Sequence, residues 1–334
     1  MPETQHMQCL EVWGGNQAVD TGVVMAGLDA WAYSKPWGQD ASGGDVHYVS
    51  SCASGRIVRM LVADVSGHGS KVAETAARLR HLMRRFVNHL DQGRFIAALN
   101  HEFGLLAEHG RFATAAAFTF FAPTNHLTIS NAGHPPPLLW RARSRQWSAV
   151  SPDDIAAPAP ARQRVTKRRW LREAKREDSA GVAPANVPLG ILDATRYDAL
   201  TLRLDVGDLV LCYTDGLSEC RDRDGQLLGV AGLLREVKDI DTAEPAALTP
   251  DLLRRIAALH PDNLAGDDVT ALIFRPNGLA RGLTLRERLH GMKAMTDAAV
   301  RAISGREPFP WPDMTLPNVG GAIFNPLNRL WGRR

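Results

Sequence analysis

Four aspartates in this chain sit where an apolar run meets glycine or a turn. They lie in Gly43-Gly44-Asp45, Ala63-Asp64-Val65-Ser66-Gly67, Thr214-Asp215-Gly216 and Gly266-Asp267-Asp268. Glycine lets the backbone bend sharply or approach a ligand closely. Carboxylates massed at strand ends repel one another unless something positive lies among them. A hard divalent cation such as Mg2+ or Mn2+ is the usual partner for oxygen donors of this kind. Two such ions about 3.5–4 Å apart can deprotonate a shared water and hold a phosphoryl group for in-line attack. That chemistry needs neither a serine nor a cysteine nucleophile. Each aspartate also has a plainer reading taken alone. Asp215-Gly216 is a common turn pair, Asp267-Asp268 suits an exposed loop, and Gly44-Asp45 can simply open a strand.

The elements around these residues follow from period and punctuation. Short strands are predicted over 11–15 and 25–33, then a loop over 35–42 holding Pro36 and Gly38. Strands over 46–53 and 57–65, separated by Ser54-Gly55, predict a hairpin that ends in the Asp64 loop. Val72, Ala76, Leu79, Met83 and Phe86 then change the period to that of one helix face. Phe95, Leu99, Phe103 and Leu106 repeat it for a second helix. Strands follow over 115–122, 127–130, 138–140, 200–204 and 209–213. Helices are predicted over 230–240 and 252–259, and a last strand over 269–274. Runs of strands alternating with pairs of helices predict an α+β fold, a central antiparallel β-sandwich, over a doubly wound α/β sheet.

Composition bounds the rest. With 334 residues, 45% hydrophobic and 22% charged, the chain can bury a substantial core. A net charge of +3 gives no argument for nucleic acid, which is an unlikely partner. The four cysteines form no CxxC pair, so reduced thiols and a cytoplasmic location are expected. Residues 1–8 lack the apolar core of a signal peptide, and no run approaches the ~20 apolar residues of a membrane span.

Two segments fall outside the plan. An Ala/Pro-rich stretch at about 151–184 carries Arg162, Arg164, Lys167, Arg168, Arg169, Arg172, Lys175 and Arg176 against Glu173, Glu177 and Asp178. It reads as a solvated insertion, and the sharper alternative is a docking arm over 161–178 for an acidic partner or nucleic acid. The tail, 278–334, combines an amphipathic stretch over 283–303 with Pro308-Phe309-Pro310-Trp311-Pro312, which cannot be helical.

In order along the chain, six motifs make this sequence similar to the metal-dependent PPM-type protein serine/threonine phosphatases, in their bacterial SpoIIE/RsbU-like branch. They are Gly43-Gly44-Asp45, Ala63 to Gly69, Asn131-Ala132-Gly133-His134-Pro135-Pro136, Pro188-Leu189-Gly190-Ile191, Tyr213 to Glu219, and Gly266-Asp267-Asp268-Val269-Thr270. The resemblance implies a phosphatase domain over 1–277 with α-β-β-α layers and a two-metal site holding Mn2+ or Mg2+. It implies Asp45, Asp64, Asp215, Asp267 and the Val65 carbonyl as metal ligands, with Asp64 as the bridge. Asp64 and Asp215 then position a metal-bridged hydroxide that hydrolyses phosphoserine or phosphothreonine. Asp268 and Gly44 would stand behind the ligands. His68 is the candidate proton donor, offset by two residues from the histidine of the eukaryotic branch, where this chain has Ser66. The partner implied is a phosphorylated protein such as an anti-sigma-factor antagonist, and the helix after the Asp64 loop is placed to gate the site. The alternative function is a non-catalytic phosphoprotein-binding regulator on the same fold.

Overall fold

The computed structural model describes residues 4–7, 11–38, 40–52, 55–67, 70–86, 91–106, 111–150, 186–193, 195–279, 293, 296–297, 300–301 and 303–304. The basic insertion and nearly all of the tail lie outside the described residues, as do His68 and Gly69.

Among the described residues thirteen strands make two sheets. In chain order they are β1 (Thr4–His6), β2 (Val12–Gly15), β3 (Val19–Met25), β4 (Leu28–Lys35), β5 (Asp45–Ser51), β6 (Ile57–Val65), β7 (Ala113–Phe121), β8 (His126–Ala132), β9 (Leu138–Arg141), β10 (Gln146–Ala149), β11 (Leu200–Arg203), β12 (Leu209–Tyr213) and β13 (Val269–Pro276). One sheet has the order β1-β3-β4-β13-β12-β9-β10, the other β11-β8-β7-β6-β5-β2. Among the described strands only β1 and β3 pair in parallel. The continuous helices among the described residues are α1 (Ser70–Arg85), α2 (Gln92–Leu106), the single turn α3 (Asp215–Ser218), α4 (Gly229–Val237) and α5 (Pro245–Ala257).

Strand periodicity sorts the side chains into three apolar layers. In β6, Val58, Met60 and Val62 point between the sheets, where they meet Phe118, Leu272 and Phe274. Phe118 and Phe274 close the two sheets edge to face, ring centroids 5.2 Å apart. The alternate residues Leu61, Ala63 and Val65 point outward, against Val72, Ala76, Leu79 and Met83 of α1 and Phe95, Leu99 and Phe103 of α2. On the opposite outer face, Leu209, Leu211, Tyr213 and Ile273 pack against Leu233 and Val237 of α4 and Leu248, Leu252 and Ile256 of α5. A strand covered on both faces reads as a continuous apolar run, which is why β6 and β7 stand out in the sequence. The result is the four-layer α-β-β-α sandwich, an α+β fold.

Arg59 departs from this apolar pattern. It lies on the helix-facing side of β6 with no exposed surface. Its Nη1 donates to Thr119 Oγ1 at 3.0 Å and to Gln92 Oε1 at 3.4 Å, and its guanidinium stacks 4.1 Å from the Phe95 ring. Thr119 Oγ1 also donates to Gln92 Oε1, and Gln92 Nε2 donates to the Ala117 carbonyl at 3.0 Å. A polar knot inside an apolar layer therefore pins the first turn of α2 to β6 and β7.

Some elements differ from the sequence expectation. Where one strand is predicted over 25–33, the chain makes the β3–β4 hairpin, with Met25 opposite Leu28. Of the two glycines that punctuate this run, Gly27 makes the turn, with a φ of 85°, while Gly22 is paired with Trp31 within the ladder. Helix α5 begins at Pro245, seven residues before the predicted start, because Pro245 occupies the first turn, where a missing N–H costs nothing. Strands β1 and β10 are edge strands of polar character, and neither is predicted. Cys52, Cys212 and Cys220 are buried free thiols, as expected. Among the described residues, no helix is long and apolar enough to cross a membrane.

Candidate metal centre

The acidic motifs come together because the strands that carry them end on the same side of the sandwich. Asp45 opens β5 and Asp64 lies next to last in β6. The antiparallel register places them directly opposite one another. Asp215 follows β12 as the first residue of α3, after Thr214. Asp267 and Asp268 immediately precede β13, which pairs with β12. Exposure rises across the group: Asp45 is buried, Asp64 and Asp215 are half-buried, and Asp267 is exposed.

Asp268 organises the loop that delivers Asp45. Its Oδ1 accepts the Trp37 N–H at 2.6 Å. Its Oδ2 accepts the Gly44 N–H at 2.6 Å and the Asp45 N–H at 3.4 Å. A buried carboxylate that takes three backbone donors clamps the loop structurally. Asn16, which the sequence does not single out, holds the other side of this loop. Its Nδ2 donates to the Gly43 and Ala73 carbonyls, both at 3.0 Å, so loop and α1 share one side chain.

Two glycines are set by close approach. A Cβ on Gly44 would lie 2.9 Å from both the Val65 carbonyl oxygen and Val72 Cγ1. A Cβ on Gly216 would lie 2.1 Å from the Asp268 carbonyl oxygen. The Val65 carbonyl thus faces a position cleared of side chain. Gly216→Ala is expected to destabilise the chain by about 2–3 kcal/mol, since the clash is with backbone that cannot step aside. Urea denaturation measures this, and an unchanged midpoint would contradict the packing described.

Electrostatics set these carboxylates against one another. Burial first, then the charges of Asp215, Asp267, Asp268 and Glu219, push the Asp64 carboxyl up to about 7. Burial, then Asp267 and Glu219, raise Asp215. Burial, then Asp64, raise Asp45 well above the carboxylate range, with the Thr214 and Thr270 hydroxyls opposing by hydrogen bond. Glu219, the residue after α3, is thus a further carboxylate facing the group and was not predicted as one of its members. Carboxylates that raise one another in this way form a donor set suited to a hard divalent cation. Among the described residues no three His, Cys, Asp or Glu side chains close tightly enough on one point to hold an ion by themselves. The arrangement is a crowd of oxygen donors that an ion would draw together.

The histidines divide. His68 lies outside the described residues. His134 is buried, and its Nδ1 is 2.9 Å from Thr114 Oγ1, where Thr114 is the register partner of Asp64 on β7. Asn131 fixes its backbone by accepting the His134 N–H at 2.7 Å and donating to its carbonyl at 2.8 Å. Burial lowers the His134 imidazole to about 4, with the Tyr213 backbone opposing, so it is neutral at pH 7. It is a turn and tether residue, in keeping with its motif.

A family model described as Stage II sporulation protein E (SpoIIE) matches residues 54–156 and 170–277, more than half of the chain. No curated protein matches it. Among solved structures, the RsbU and RsbW domains of Rv1364c from Mycobacterium tuberculosis are 23% identical, with a TM-score of 0.58 over 86% of this chain and 76% of that one. The PP2C phosphatase domain and regulatory fragment of SpoIIE from Bacillus subtilis are 15% identical, with a TM-score of 0.55 over 80% of this chain and 64% of that one. The SiaA-PP2C domain of Pseudomonas aeruginosa is 15% identical, with a TM-score of 0.52 over 74% and 84%. At these identities the likeness is one of fold.

Proposed function

Because the chain belongs to the SpoIIE family and has the fold of PP2C-type phosphatase domains, we propose that it is a metal-dependent protein serine/threonine phosphatase. The observation that carries this reading is the gathering of carboxylates at one end of the sandwich, with Asp45 opposite Asp64 and the Asp64 carboxyl at about 7. We assign Asp45, Asp64, the Val65 carbonyl, Asp215 and Asp267 as the donors for two divalent cations, Mn2+ or Mg2+. Such ions would supply the positive charge that activates water and neutralises a phosphoryl group. The chain's own part is to hold the donors in place and to keep side chains away from the Val65 carbonyl. Asp268 fixes the backbone of Gly44 and Asp45, and Gly44 and Gly216 allow the loops to meet. The substrate we assign is a phosphorylated protein, with an anti-sigma-factor antagonist as the candidate that the resemblance implies.

Hydrolysis of a phosphoserine peptide by the full chain tests the reading. Release of phosphate is expected with Mn2+ and is expected to fall to background with EDTA. Turnover that persists without metal would refute it. Tight phosphopeptide binding with no turnover at any Mn2+ concentration would move the conclusion to the non-catalytic regulator.

A further inference from the structure

Asp45 is held from two directions. Its backbone N–H reaches Asp268, as described above. Its side chain meets Thr214, a residue with no exposed surface that follows β12 of the other sheet. Thr214 Oγ1 donates to Asp45 Oδ2 at 2.7 Å. The same oxygen accepts the Thr270 N–H at 3.0 Å. Thr270 Oγ1, whose weaker pull on the Asp45 carboxyl comes after that of Thr214, lies 2.9 Å from Ser34 Oγ on β4. A backbone N–H can only donate, so it occupies a lone pair of Thr214 Oγ1. The hydroxyl has two acceptors in reach, Asp45 Oδ2 at 2.7 Å and the Thr270 carbonyl at 3.4 Å, and the nearer takes the proton whenever the carboxyl is ionised, as a metal ligand must be.

We infer that Thr214 is a positioning residue that reserves Asp45 Oδ2 and leaves Oδ1 as the oxygen of Asp45 that reaches a metal ion. The inference rests on the proposal that Asp45 is a metal ligand. Its consequence is selectivity. Ca2+ takes six to eight oxygens and readily accepts both oxygens of one carboxylate, whereas Mg2+ demands a tight octahedron built from single-oxygen contacts. A carboxylate confined to one oxygen favours the smaller ion. Supporting hydrogen bonds behind a ligand are commonly worth about 10–100-fold in metal affinity.

Titration calorimetry of the full chain with Mn2+ and with Ca2+ tests this without reference to turnover. Thr214→Val is expected to weaken Mn2+ by about 10-fold or more and Ca2+ by less, so that the ratio of the two affinities narrows. Thr214→Ser keeps the hydroxyl and is expected to retain the wild-type ratio. Thr214→Val binding both ions as the wild type does would overturn the inference. Asp45→Asn separates it from the reading beneath it. If that change leaves Mn2+ binding intact, the metal assignment of Asp45 itself fails. If it weakens Mn2+ while Thr214→Val does not, only the role of Thr214 fails. Should Thr214→Val not fold, a crystal structure of the wild-type chain with Mn2+ decides. Oδ1 alone on the ion, with Thr214 Oγ1 still bonded to Oδ2, supports the inference, and Oδ2 on the ion overturns it.

Discussion

Asp64→Asn should remove Mn2+-dependent phosphatase activity, by on the order of 10³-fold, and at the same time stabilise the metal-free chain at pH 8. Both effects have one cause. In the metal-free chain the Asp64 carboxyl stands at about 7, through burial and the neighbouring carboxylates. In the unfolded chain it returns to about 4. Between those values the folded state holds a proton that the unfolded state has lost. Stability of the metal-free chain therefore falls as pH rises from about 4 to about 7, and the whole penalty is present above that. Three pH units set a ceiling of about 4 kcal/mol. Solvent screening of a half-buried group sharing its charge with Asp215 brings the expected figure nearer 2 kcal/mol. Urea denaturation in EDTA at pH 5 and pH 8 measures the slope. The wild type should lose stability over that interval, and the Asp64→Asn substitution should flatten much of the loss. Saturating Mn2+ should restore the wild type at pH 8, by about 2.7 kcal/mol at 100 times the dissociation constant. An Asp64→Asn chain less stable than the wild type at pH 8 without metal would show that the carboxylates are not in conflict.

Asp268→Ala is expected to be the most damaging single change behind the ligands. It leaves the N–H groups of Trp37, Gly44 and Asp45 without their acceptor. Hydrogen bonds to a charged acceptor are worth about 1.5–3 kcal/mol each, and an unsatisfied buried donor costs about 1–3 kcal/mol. An opposing effect exists, because Asp268 also raises Asp45 and Asp64 by its charge. That relief is one contribution among several to each neighbour, whereas three backbone donors lose their acceptor outright. A net loss of about 3 kcal/mol is expected, with weaker Mn2+ binding because the Asp45 loop is no longer held. Asp268→Asn keeps one acceptor oxygen and should fall between the two. Denaturant midpoints and calorimetric titration of the three chains check the order.

Much of the fold was legible because the strands nearest the site are covered on both faces. Ile57–Val65 and Ala113–Phe121 are long apolar runs for that reason, and α1 shows its buried stripe of Val72, Ala76, Leu79 and Met83 plainly. Edge strands carry no such signal. Gln146–Ala149 alternates exposed and half-buried residues, and its main apolar contact, Trp147 with Trp140, is visible only once β9 and β10 pair. The aspartates of the site were legible from local context, since each meets glycine or a turn. Thr214, Asn16 and Glu219 were not marked out. Their parts depend on partners distant in sequence or on field effects through space, and no periodicity reports either.

The polar links across the site also bear on the order in which the chain assembles and comes apart. Asp45 and Asp64 face each other across a single hairpin, a contact that closes locally and early. The other half of the site arrives from far along the chain. Thr214 bonds Asp45 across 169 positions, and Asp268 bonds Gly44 across 224. Loop closure on that scale is slow and depends on the sandwich being complete. The amide protons of Gly44 and Trp37 are therefore reporters of the docking of β13, although both belong to the N-terminal part of the chain. Their exchange with solvent should track global unfolding, while amides on the free side of the hairpin exchange through smaller openings. A ligand that bridges the two halves would act as a staple between segments more than 150 positions apart, setting how long the folded chain survives as well as what it can do.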